Sequence, residues 1–134
     1  MKDPNCIFCK IVAGEIPSVK VWEDDNFLAI LDINPNTEGA TLVISKEHQS
    51  SDFLSLPEDV VSDFTKAAKK VADLLKEGLA VDRVMLVAEG MDVDHAHLKL
   101  YPLHEGDYRG YLTTSGGTPK TPEELEKVAQ KIRG

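Results

Sequence analysis

The stretch "VDHAHLKLYPLH", residues 93–104, decides how this chain is read. Ala96, Leu98 and Leu100 alternate with His95, His97, Lys99 and Tyr101, which is the period of a strand with one apolar face. The other face then carries two imidazoles and an ammonium, with roughly 6.5–7 Å between each and the next. A face of that kind suits a phosphate. Imidazole can attack phosphorus and form a covalent intermediate, and a nearby cation can stabilise charge on the oxygens. Taken alone, the pattern describes a solvated strand face with idle histidines equally well.

Working outward, "RVMLVAE" (83–89) reads as the preceding strand, apolar enough to be a hazard as an open edge. Before it, Val60, Val61, Phe64, Ala68, Val71, Ala72 and Leu75 keep helical periodicity. That predicts a long helix beginning near Pro57, with a capping box from Ser55 to Glu58 and an end at Gly78. "VKVWED" (19–24) and "FLAILD" (27–32) read as two strands joined by a tight turn, and "ATLVIS" (40–45) as a third. Residues 6–13 predict a short first helix, stopped by Gly14 and Pro17. "TTSGGTPKT" reads as a flexible connection to a last helix, with Thr121 and Glu124 forming a second capping box and Pro122 in the first turn. The sum is an α+β fold: a mostly antiparallel five-stranded sheet, one long helix, short N- and C-terminal helices, and helices covering one face.

The 134 residues suit one domain, with residues 111–134 a loop-and-helix extension of the domain formed by 1–110. Acidic residues outnumber basic ones 23 to 15, a net charge of −8, which argues against nucleic-acid and anionic-membrane partners. It leaves room for a single phosphate in a local pocket. The N-terminal residues hold no apolar run long enough for a signal peptide or membrane span, so a cytoplasmic location is expected. In a reducing compartment the spacing Cys6-x-x-Cys9 reads as a metal site or redox pair before a structural disulfide. With His48 and His95 the cysteines form a possible Cys2His2 zinc set. A thioredoxin-like pair is the rival, without a βαβ pattern around it. Two buried thiols on a helix turn are the bland alternative.

At these residues the chain resembles the histidine triad (HIT) family of nucleotide-binding hydrolases and transferases, closest to its bacterial and archaeal Hint-type branch. The resemblance covers about residues 4–104. It rests on "CIFCKIVAGEIPSVKVWEDDNFLAILDINP", "TLVISKEH" and "VDHAHLKLYP". It implies that His97 is the nucleophile taking a nucleotidyl group from an α-phosphorus, with Lys99 beside it. It implies a structural Zn²⁺ on Cys6, Cys9, His48 and His95. The nucleoside pocket would draw on Ile7, Phe8, Ile11, Ile30, Asp32, Ile33 and Asp92, with Asp32 on the ribose hydroxyls. Without the resemblance, the isoleucines and Phe8 read as core, and Asp32 as a turn cap before Asn34-Pro35.

The chain departs from the family pattern at Lys99, where the third signature histidine belongs, at Ala40, where a histidine is usual, and at Met91, where glutamine follows the glycine. An asparagine usual in the preceding loop has no counterpart. The resemblance therefore implies one of two functions. The first is an enzyme cleaving phosphoramidates, nucleotidyl esters or dinucleoside polyphosphates through a nucleotidyl-His97 intermediate. The second is a zinc-stabilised purine nucleotide-binding module without turnover. Similar proteins pair as homodimers through the long helix and fourth strand.

Overall fold

A computed structural model describes residues 3–105 and 117–133. The order of elements is α1 (Ile7–Val12), β1 (Lys20–Glu23), β2 (Phe27–Leu31), β3 (Thr41–Ser45), a 3-10 turn (Phe53–Ser55), α2 (Glu58–Leu79), β4 (Val84–Val87), β5 (His97–Pro102) and α3 (Pro122–Arg133). Part of the connection expected over 113–121 lies outside the described residues. The five strands form one antiparallel sheet in the order β1-β2-β3-β5-β4.

Alternation along the strands divides the apolar residues between the two faces. Phe27, Ala29 and Leu31 of β2, Val43 of β3, and Leu98 and Leu100 of β5 join one core with Phe64, Val71 and Leu75 of α2 and Leu125, Ala129 and Ile132 of α3. Leu28, Ile30 and Ile44 point the other way and bury Phe8, Cys6 and Cys9. The expectation that the helices cover one face is corrected here. α2 and α3 cover one face, and α1 packs on the other because β2 is buried on both sides.

Two helix boundaries also differ from expectation. The capping box at Ser55 does not form: Ser55 lies in the 3-10 turn and its hydroxyl donates to Asp52 at 2.6 Å, leaving Pro57 at the start of α2 without a side-chain cap. Gly78 does not end α2. The helix runs on to Leu79, and Ala80 takes the left-handed conformation at φ 54°. Gly78 serves packing instead, since a Cβ there would lie 2.2 Å from the Lys131 carbonyl oxygen. The second capping box does form, with the Thr121 hydroxyl accepting from Glu124 N at 3.1 Å and Glu124 Oε1 accepting from Thr121 N at 3.2 Å. Among the described residues no helix is long and apolar enough to cross a membrane.

Candidate metal centre and histidine face

His95 and His97 reach their positions differently. β5 begins at His97, so the strand expected over 93–102 is shorter and His95 lies just before it. The chain bends there because His95 N donates to the Val93 carbonyl at 2.9 Å and the Asp94 carboxylate accepts from Ser51 N at 3.0 Å. The Ser51 bond also holds the Asp94 carboxyl below its usual range. Ser51 donates its hydroxyl to the Gly90 carbonyl at 2.7 Å, and Ala96 N donates to the Gln49 carbonyl at 2.8 Å. The segment after β3, which carries His48, is thus fastened to the segment before β5, which carries His95.

α1 completes the cluster. Cys6 is its N-cap and Cys9 sits in its first turn, so both sulfurs face the sheet. The Nδ1 atoms of His48 and His95 are 3.3 Å apart. Cys6 Sγ lies 3.3 Å and Cys9 Sγ 3.5 Å from His95 Nδ1, and Cys9 Sγ lies 3.3 Å from His48 Nδ1. All four donor atoms fall within 4.8 Å of one another, and both thiols are free. A tetrahedral Zn²⁺ with ordinary bond lengths would set N–N edges of about 3.4 Å and S–N edges of about 3.6 Å, so the residues fit such an ion. The tautomer fits too. His95 Nε2 donates to the Ser45 carbonyl at 2.6 Å, which turns the Nδ1 lone pair toward the cluster. Burial lowers the His95 pKa, against the opposing effect of the Ser45 bond. Burial also raises the Cys9 thiol above its ordinary value.

His97 is almost fully buried and faces the α1 side, where it pairs across to Ile44. Its Nδ1 is 2.7 Å from the His95 carbonyl oxygen. A carbonyl only accepts, so Nδ1 carries the hydrogen and Nε2 of the neutral ring carries the lone pair. Burial lowers the His97 pKa, with the Lys99 charge acting in the same direction. Phe8, between the two cysteines, meets both rings edge-on, at 5.8 Å from His95 and 5.1 Å from His97.

The remaining candidates are spread along this face. Phe8 and Ile30 are buried in the small core under α1, Ile11 is half-buried, and Ile7 and Ile33 are exposed. Asp32, just past β2, is half-buried and uses Oδ1 to accept from Asn34 N at 2.9 Å, as a turn cap does. A cavity of about 660 Å³ opens beside Asp32 and Ala40, against Leu125 and Val128 of α3. Lys99 is the surprise. Its side chain is only 11% exposed, and its Nζ lies 3.5 Å from Glu89 and 4.0 Å from Asp92. The sequence reading missed Glu89, although the pairing of Val87 with Lys99 brings the end of β4 alongside that lysine. It also missed the Ser45 and His95 carbonyls, because a backbone acceptor leaves no trace in residue type.

Residues 13–106 match the HIT domain. The chain belongs to the HIT family. It is 39% identical over 134 residues to an uncharacterised HIT-like protein of Methanocaldococcus jannaschii, covering 96% of this chain and 99% of the relative. It is 35% identical over 129 residues to the adenosine 5′-monophosphoramidase of Schizosaccharomyces pombe, covering 96% of each. Among solved structures, a Zn-bound histidine triad family protein of Mycobacterium smegmatis superposes with a TM-score of 0.80 at 32% identity, over 96% of this chain and 91% of that one. The HIT-domain match begins at residue 13, after the C-x-x-C pair, so the metal cluster rests on its geometry and not on that match.

Proposed function

We propose that this protein is a nucleotide hydrolase or nucleotidyl transferase acting at the α-phosphorus of nucleoside 5′-phosphate derivatives, through a covalent nucleotidyl-His97 intermediate. The observation that carries this reading is the 2.7 Å contact from His97 Nδ1 to the His95 carbonyl, which leaves Nε2 as the nucleophilic atom. Nε2 attacks phosphorus as the bond to the leaving nitrogen or oxygen breaks, and the leaving group departs with a proton taken up from water. Water then attacks the same phosphorus, the P–N bond to His97 breaks, the ring regains its lone pair, and the proton released by that water neutralises the hydroxide left in the first step. The products are the nucleoside monophosphate and the free leaving group. The activity of the fission-yeast relative supports a purine phosphoramidate as one substrate.

Cys6, Cys9, His48 and His95 would hold a structural Zn²⁺, whose contribution is to fix its own ligands. The site acts with those residues as a brace: His95 is both a ligand candidate and the carbonyl that orients His97. Ile7, Phe8, Ile11, Ile30 and Ile33 line the nucleoside side, with Asp32 and Asp92 as its acids, and a homodimer is the expected assembly.

Incubation with a reactive nucleotidyl donor followed by intact-mass and peptide mass spectrometry tests the mechanism. A nucleotidyl adduct on His97 is the expected result. Turnover without any adduct on His97, or turnover that survives His97→Ala, refutes it. Binding of nucleotide with neither turnover nor adduct would favour the module without catalysis.

A further inference from the structure

Lys99 stands where a phosphate oxygen would need a positive charge, yet its charge is already answered. Glu89 Oε1 lies 3.5 Å from its ammonium, and the more exposed Asp92 Oδ2 lies 4.0 Å away. Sheet register adds a third carboxylate. Leu31 pairs with Thr41 and Thr41 with Leu100 on the α2 face, so the next row, on the opposite face that also carries Lys99, runs from Asp32 past Ala40 toward Tyr101. The Tyr101 hydroxyl reports the same gathering: burial, then Asp32, Glu89 and Asp92, push its pKa up to about 12. One ammonium, on the strand that presents His97, thus faces two carboxylates, and a third carboxylate lies two strands away toward Tyr101.

The consequence depends on the charge of the phosphoryl group. An α-phosphorus bonded to a leaving group in a phosphoramidate, ester or anhydride bears one negative charge. The monophosphate left by hydrolysis bears close to two at neutral pH, since its second pKa is about 6. Electrostatic energy is linear in ligand charge, so a surround of net negative sign penalises the second charge as heavily as the first. A lysine alone would favour the product over the substrate. A lysine offset by carboxylates does not.

We propose that Glu89 is a specificity-determining residue that offsets the Lys99 charge, so that the position beside His97 accepts a singly charged α-phosphoryl group and expels the doubly charged nucleoside monophosphate. The inference rests on the proposed function and names the phosphoryl charge that the site selects. Glu89 acts through Lys99 and through space, with no contact to the reacting atoms.

Isothermal titration at pH 8 and low salt separates the possibilities. The full chain and its Glu89→Gln variant are titrated with adenosine, adenosine 5′-(methyl phosphate) and adenosine 5′-monophosphate. These carry no charge, one charge and close to two. Loss of the Glu89 charge should leave adenosine unchanged, tighten the methyl ester about threefold and tighten the monophosphate about tenfold, the square of the single-charge effect. Equal changes for all three ligands, or no tightening of the monophosphate, overturn the inference while leaving the proposed function intact. Failure of the wild type to bind any of the three overturns the proposed function and this inference with it. Glu89→Asn, which also removes the charge, repeats the test with the same ordering should Glu89→Gln not fold.

Discussion

Replacing Gly90 by alanine tests how the two histidine-bearing segments are held. Gly90 has φ +63°, and a Cβ built on it would lie 2.3 Å from the Ser51 carbonyl oxygen and 3.1 Å from its carbonyl carbon. Both obstacles are backbone, so no rotamer change relieves them. Left-handed backbone costs a non-glycine residue about 1 kcal/mol. Moving Ser51 aside also breaks its hydroxyl bond to Gly90 and its N–H bond to Asp94, each worth about 1 kcal/mol. The expected destabilisation is about 3 kcal/mol, which for a chain of this size lowers Tm by about 10 °C. Thermal denaturation followed by circular dichroism measures it, with Ser51→Ala as the control. That variant keeps the Ser51 N–H bond to Asp94, loses what the hydroxyl gives to Gly90 and Asp94, and should cost about 1 kcal/mol. Because Ser51 sits between His48 and the turn that carries His95, Gly90→Ala should also weaken zinc binding in a chelator competition. A Gly90→Ala variant no less stable than Ser51→Ala would refute the view that this close approach fastens the two segments.

Three further outcomes follow from the same geometry. Treatment with a strong chelator should lower Tm, since an ion bound only by the folded state at a thousand times its Kd adds about 4 kcal/mol; metal analysis without zinc and an unchanged melt would remove the metal reading. His97→Asn should abolish turnover while nucleoside monophosphate binding stays within about tenfold, or ~1.4 kcal/mol, measured by single-turnover kinetics beside titration; residual turnover near wild type would refute a His97 nucleophile. Gly78→Ala should destabilise by about 1–2 kcal/mol, because the forced separation of α2 and α3 outweighs the helix-propensity gain of about 1 kcal/mol; a stabilised variant in urea unfolding would show that the helices separate freely.

The elements were legible because each carries its own local signal. The alternation Ala96, Leu98, Leu100 placed the faces of β5, and Thr121 with Glu124 marked the start of α3. Gly78 and Ser55 misled for one reason. A glycine late in a helix and a serine three residues before a glutamate are signals of local chemistry, and here tertiary packing and a competing Asp52 acceptor used those residues instead. The position of α1 was illegible from its own six residues, because which sheet face it covers is decided by β2. That strand reads "FLAIL", apolar at every position, and only a strand of that kind requires cover on both sides. The four candidate metal ligands were legible as residue types, and the two cysteines by their spacing as well. The acceptors that orient them, the carbonyls of Ser45 and His95, could not be, since every residue carries the same carbonyl.

The placement of the proposed nucleophile is a property of the fold more than of the strand that bears it. His97 is aimed by the His95 carbonyl, and the His95 ring is aimed by the Ser45 carbonyl at the end of β3. The other side of that ring meets Cys6, Cys9 and His48, and Phe8 closes against both imidazoles from the helix that carries the cysteines. Three segments distant in sequence thus converge on one ring, and the same residue's carbonyl sets the tautomer of the next histidine. An imidazole on a bare strand could rotate and exchange its proton between nitrogens. Here rotation would break the Nδ1 bond within a buried site, where an unmatched donor costs about 1–3 kcal/mol. The orientation of Nε2 is therefore established as the sheet, α1 and the segment after β3 come together, before any substrate arrives.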